Sequence, residues 1–141
     1  MDQNLSIIFF LAAVFIVGGL LFAVIALAKR GPRGLDVEKY RSRWLSIEQQ
    51  LKRDEISSYH MSILNADKLV DQALIERGIS GKTMAERMKE AKGKWSNANH
   101  IWTAHKLRNQ IAHEADVTIS YEGARRALIA FKQALKDLGA I

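Results

Sequence analysis

Cysteine is absent from the 141 residues, and proline occurs once. The first absence excludes a disulfide scaffold, a thiolate metal site and a cysteine nucleophile. Charge is missing from Leu5 to Ala28, and Ser6 is the only polar side chain there. Nothing in the chain reads as a credible strand pair, an internal repeat or a low-complexity tract, so sheet and solenoid architectures fall away. The length suits one domain with an appendage.

The uncharged run reads LSIIFFLAAVFIVGGLLFAVIALA. As a helix it spans about 36 Å, enough to cross a hydrocarbon core with some tilt. Ala26-Leu27-Ala28 resembles a signal-peptide cleavage site. The segment before the run has no lysine or arginine, however, and the run is too long for an ordinary secretory core, which favours a retained anchor. Gly18-Gly19 lacks the wider frame of small residues that packs two spans, and reads as tolerated glycine in a lipid-facing helix. Lys29, Arg30 and Arg33 follow the run, whereas Asp2 is the only charged side chain before it. That asymmetry predicts a single-pass inner-membrane protein with its N-terminus outside and its C-terminal domain in the cytoplasm.

The expected organisation is a flank at 1–4, a transmembrane helix at 5–28, a basic Gly/Pro linker at 29–35 and a helical domain at 36–141. Past residue 34 there are 18 basic and 14 acidic side chains, a modest excess that favours anionic partners. Asp36 suits an N-cap, and Val37, Tyr40, Trp44, Ile47 and Leu51 form a stripe at helical spacing. The stripe breaks at Asp54-Glu55 and resumes in a new register at Tyr59, Ile63, Ala66, Val70 and Leu74. One kinked helix or two helices would fit. Gly78 stops it. Thr83 to Glu86 has the pattern of a capping box, opening a short helix to about Ala91. Ser96 or Asn97 caps a helix running to about His113. Ser120 caps the last one, with a stripe through Tyr121, Ala124, Leu128, Phe131, Leu135 and Leu138. The expected fold is all-α, a bundle of four or five helices behind the membrane helix.

Gly81-Lys82-Thr83 mimics the end of a phosphate-binding loop. The glycine that such a loop needs five residues earlier is Glu76, and no strand precedes it, so a turn before a capped helix is the better reading. The histidines are His60, His100, His105 and His113. His100 and His105 lie about 140° apart on a helix and do not converge on a metal ion. Neither a metal nor a cofactor is implied.

The most distinctive stretch is His105 to Glu114, HKLRNQIAHE. On a helix, Ile101, Ala104, Leu107 and Ile111 point inward, and Trp102, His105, Arg108, Asn109 and His113 occupy the other arc. Arginine can grip phosphate in bidentate fashion, and histidine can take or give a proton near neutral pH. Together they are a minimal kit for cutting RNA without metal: the histidine works on the ribose 2′-hydroxyl or the leaving oxygen, and the arginine stabilises charge on phosphate. The plain alternative pairs Arg108 with a nearby acid such as Glu114 or Asp116, with His113 at the helix end.

This stretch resembles the R-x4–6-H signature of the HEPN superfamily, with Asn109 matching the polar residue that often follows the arginine. The resemblance implies a helical dimer in which two motifs face each other across a cleft. It also implies metal-independent endoribonuclease action in a stress or defence setting, with Arg108 and His113 catalytic and Asn109 and His105 in support. HEPN toxins paired with a nucleotidyltransferase carry a tyrosine two positions after the histidine, where this chain has Ala115. Other HEPN-like domains are non-catalytic dimerisation or scaffold modules, and that is the alternative function. Expected partners are membrane lipid, a second copy and RNA.

Among the tryptophans, Trp44 reads as core by its phase, Trp95 as either core or surface, and Trp102 as the candidate for stacking on a base or for a dimer interface. Lys82, Arg87, Lys89, Lys92 and Lys94 read as a solvated basic face that could touch anionic lipid.

Overall fold

The computed structural model describes residues 2–28 and 34–141, and its regular structure there is entirely helical. Two separate units hold these residues, one within 1–33 and one from Gly34 to Ile141. The basic flank of Lys29, Arg30 and Arg33, and with it Gly31-Pro32, lies outside the described residues.

The first unit is α1, Gln3–Ala28. It starts two residues before the apolar run, and at about 1.5 Å per residue it is roughly 39 Å long. Every described side chain of this helix is exposed, including Phe15 at 78% and Phe22 at 74%. A helix apolar all round and buried nowhere has no favourable place in water, and this one is long and apolar enough to cross a membrane.

The second unit contains α2 (Val37–Gln50), α3 (Ile56–Glu76), α4 (Met84–Glu90), α5 (Ala98–His113) and α6 (Tyr121–Asp137). The stripe of two registers is therefore two helices. They part at Lys52–Glu55, where Asp54 adopts φ +71°. Ser58 Oγ closes this turn by accepting from Lys52 N–H at 3.0 Å and lying 2.6 Å from the Glu55 carbonyl, to which it can donate.

Side chains cap the helix starts where the pattern points to them. Asp36 accepts from Lys39 N–H and Ser120 from Gly123 N–H. At α5 the cap is Asn97, while Ser96 is tied to Asp137 of α6. At α4, Thr83 accepts from Glu86 N–H, but the Glu86 carboxylate returns to Lys82 N–H, one residue before the usual target. α3 and α6 both end in a left-handed residue, Gly78 at φ +78° and Gly139 at φ +72°. Each sits in the paired-bond cap that satisfies the last carbonyls, a conformation costly for any residue with a Cβ.

α3 lies at the centre and packs against all four other helices of its unit. Its Ile63, Ala66, Val70 and Leu74 are fully buried, against Tyr40 of α2, Ile101 of α5 and Phe131 of α6 in one core. Polar clamps join the layers. Glu76 accepts from Lys39 Nζ at 2.9 Å and from the Tyr40 hydroxyl at 2.7 Å. Those donors, Lys39 first, hold the Glu76 carboxyl below the usual glutamate range. Burial and then the Glu76 bond push the Tyr40 hydroxyl well above the ordinary tyrosine value. Glu48 joins Trp44 of its own helix to Lys132 of α6. Arg87 does not belong to a free basic face. It makes a fork to Asp71 at 2.7 and 2.9 Å and donates to the Gly81 carbonyl.

Candidate functional site

The site is built on α5 and one residue of α3. His105, in the polar arc by its helical phase, is only 7% exposed. Its Nδ1 lies 2.7 Å from Oδ1 of Asp67, which is itself 3% exposed. The other carboxylate oxygen, Oδ2, is 3.2 Å from Nε of Arg108. That N–H has no directed acceptor, so the contact is an ionic approach rather than a well-aligned hydrogen bond. Arg108 also donates from Nη1 to Asn109 Oδ1 at 3.0 Å. Because a guanidinium can only donate, this contact fixes which end of the Asn109 amide faces it. The Asn109 amino group is then left facing His105 Nε2 at 3.4 Å. The network is consistent with a ring carrying its proton on Nδ1, toward Asp67, and accepting through Nε2.

Asp67, His105, Asn109 and Arg108 thus form one connected cluster. It uses both nitrogens of His105, so the ring is committed to the fold rather than free for proton transfer. Arg108 is restrained at Nε and Nη1, yet 35% of its side chain is exposed. Its partner is Asp67, from the centre of the domain, not Glu114 or Asp116. Asp67 was the residue missed in the sequence. It carried a signal: it stands four residues after Ile63 and three before Val70, on the apolar stripe itself. A carboxylate at such a position needs a cation or donors.

His113 is the last residue of α5 and is exposed. The helix runs unbroken to it, and Glu114 N–H still bonds to the Gln110 carbonyl at 2.8 Å. No local break swings His113 toward Arg108, and five residues of regular helix set the two about 140° apart. Trp102 is half-buried and meets His105 edge to face, with ring centroids 6.3 Å apart. Of the expected inner face, Ile101 and Ala104 are buried, whereas Leu107 and Ile111 are only partly covered.

Asn99, Trp102, Lys106, Asn109 and His113 follow one another at spacings of 3 and 4, one face of α5 from its first turn to its last. Most of that face lines an open hollow of about 490 Å³, completed by Thr103, His105 and Ala85 of α4. Among the described residues, no group of three or more His, Asp or Glu is arranged to hold a metal ion. Comparison with family models, with curated proteins and with solved structures finds no match.

Proposed function

We propose that this chain is a membrane-anchored HEPN-like module of the inner membrane, with its domain in the cytoplasm, that cuts RNA without metal at a site shared by two copies. The carrying observation is that one unbroken helix presents both a restrained, part-exposed Arg108 and an exposed His113. Asp67 and Asn109 orient the guanidinium, so less side-chain entropy is lost when it meets phosphate. Since the helix keeps His113 away from its own Arg108, a two-fold partner is the natural source of the missing half of the site.

In the reaction, His113 accepts the proton of the ribose 2′-hydroxyl, whose oxygen attacks the adjacent phosphorus. The bond to the 5′-oxygen breaks, and that oxygen takes a proton from water while His113 returns its own to solvent. The products are a 2′,3′-cyclic phosphate and a 5′-hydroxyl end, and Arg108 offsets the charge that builds on the phosphate oxygens. The second reading is a non-catalytic dimerisation module, favoured by one observation: the first partner of Arg108 is the buried Asp67, which gives the arginine a structural task.

The test is cleavage of single-stranded RNA by the full-length protein in detergent with chelator present. Arg108→Ala and His113→Ala should each slow cleavage by roughly 100-fold or more. An equal mixture of the two variants should recover part of the activity, because a mixed dimer contains one intact Arg108–His113 pair. RNA methylated at the 2′-hydroxyl should resist. Wild-type rates from the double variant would rule out the nuclease and leave the scaffold reading.

A further inference from the structure

The hollow on α5 has a composition that neither Arg108 nor His113 explains. It brings together an indole, Trp102, two carboxamides, Asn99 and Asn109, and an ammonium, Lys106, around about 490 Å³ of open space. Asn99 and Lys106 are exposed, and among the described residues neither side chain is engaged in a hydrogen bond or ion pair. Asn109 spends one amino hydrogen on His105 and one lone pair on Arg108, which leaves one donor and one acceptor free. Its amide is therefore oriented before any ligand arrives. Trp102 is restrained in the same way, by its edge-to-face contact with His105.

We infer that this hollow is a base-binding subsite for single-stranded RNA, seating a nucleotide that neighbours the cleaved one. Bases stack on indole rings, carboxamides pair with the donor and acceptor edge of a base, and a lysine beside them meets the phosphate. The proposal rests on the nuclease reading for its choice of RNA. The same α5 face continues to His113, and Trp102 to His113 covers roughly 16 Å along the helix at about 1.5 Å per residue. That is further than a single nucleotide needs, so the stacked base is a neighbour of the scissile one.

The test measures binding rather than cleavage, so the two readings fail separately. The probe is a fluorescent single-stranded oligonucleotide carrying 2′-O-methyl groups throughout, titrated into the full-length protein in detergent and read by anisotropy. Trp102→Ala should weaken binding by about 5- to 150-fold, the range for loss of one base–aromatic stack. Trp102→Phe should restore most of it. Lys106→Ala should lower the dependence of log affinity on log salt by roughly 0.7, the loss of one phosphate contact on a single strand. Arg125→Ala, on the exposed side of α6, should change neither.

Unchanged affinity in Trp102→Ala would overturn the proposal, and a simultaneous change from dimer to monomer would assign the indole to an interface instead. Should Trp102→Ala fail to fold, the exposed Lys106 and Asn99 carry the test, and wild-type binding and salt dependence in Lys106→Ala/Asn99→Leu overturns it. If these variants bind as expected but no RNA is ever cut, the subsite stands and the nuclease reading falls.

Discussion

Asp67 sits in register with Ile63, Val70 and Leu74 on the face of α3 that builds the core, and its side chain is 4% exposed. A carboxylate in that position is tolerable only with partners, and His105 and Arg108 of α5 provide them. Removing it leaves a buried imidazole and a guanidinium facing an empty site. Asp67→Ala should therefore destabilise the domain by about 3 kcal/mol. This is the low end for breaking a buried pair, because Arg108 is a third exposed and can turn to water. Asp67→Asn keeps an acceptor for His105 Nδ1–H and should cost less, on the order of 1–2 kcal/mol. Urea unfolding of the full-length chain in detergent, followed by circular dichroism, measures both. Equal stability of Asp67→Ala and wild type would mean that the cluster does not support the fold. At this scale the sequence was half legible. The phase of α5 separated Ile101 and Ala104 from Arg108, Asn109 and His113. It could not place His105, whose burial depends on a carboxylate 38 positions earlier. Spacing within one helix carries no information on what a different helix brings opposite.

At the scale of elements, more was readable, because caps and stripes are local. Asp36, Thr83 and Ser120 each accept from the backbone at the position where a helix starts. Gly78 and Gly139 end helices for the steric reason that makes glycine preferred there. What periodicity left open was whether α2 and α3 are one helix or two. Asp54 at φ +71° and the Ser58 hydroxyl decide it, and neither backbone sign nor a six-residue side-chain contact is a periodic signal. The α2–α3 pair is then held at its other end by Glu76. A carboxyl with a lowered folded-state pKa adds stability that is present above its unfolded value, about 4.3, and lost as pH falls through the lower folded value. Melting temperature should thus decline as pH drops below about 4.3. Glu76→Gln should melt earlier than wild type at pH 7, with the gap closing toward pH 3. A gap that stays constant across this range would show that the clamp works through shape and not through charge. Lys39 and Glu76 are each about a third exposed, so the effect is modest and best read as the difference between the two curves.

For the whole molecule, the decisive quantity is the side of the membrane on which the α2–α6 unit lies. An apolar helix of this length is long enough to cross a membrane and says nothing of its direction. Direction follows from the charges beside it: Lys29, Arg30 and Arg33 after the span against Asp2 before it. Short flanks rich in Lys and Arg are retained on the cytoplasmic side, so the proposal that the domain acts on cellular RNA expects it inside. A reporter fused after Ile141 that is active only in the periplasm should be silent, and one active only in the cytoplasm should work. The same logic predicts inversion. With Asp2→Lys and Asn4→Lys added and Lys29, Arg30 and Arg33 changed to Ser, a measurable share of the chains should present the periplasmic reporter. If the wild-type fusion reports from the periplasm, the domain is outside. An RNA substrate in the cell is then out of reach, and whatever Arg108 and His113 do must be done to a molecule on that side. If the wild type reports from the cytoplasm and the charge-swapped variant does not invert, orientation is set by the folding of the domain before insertion, and the flanking charges are available for lipid contact alone.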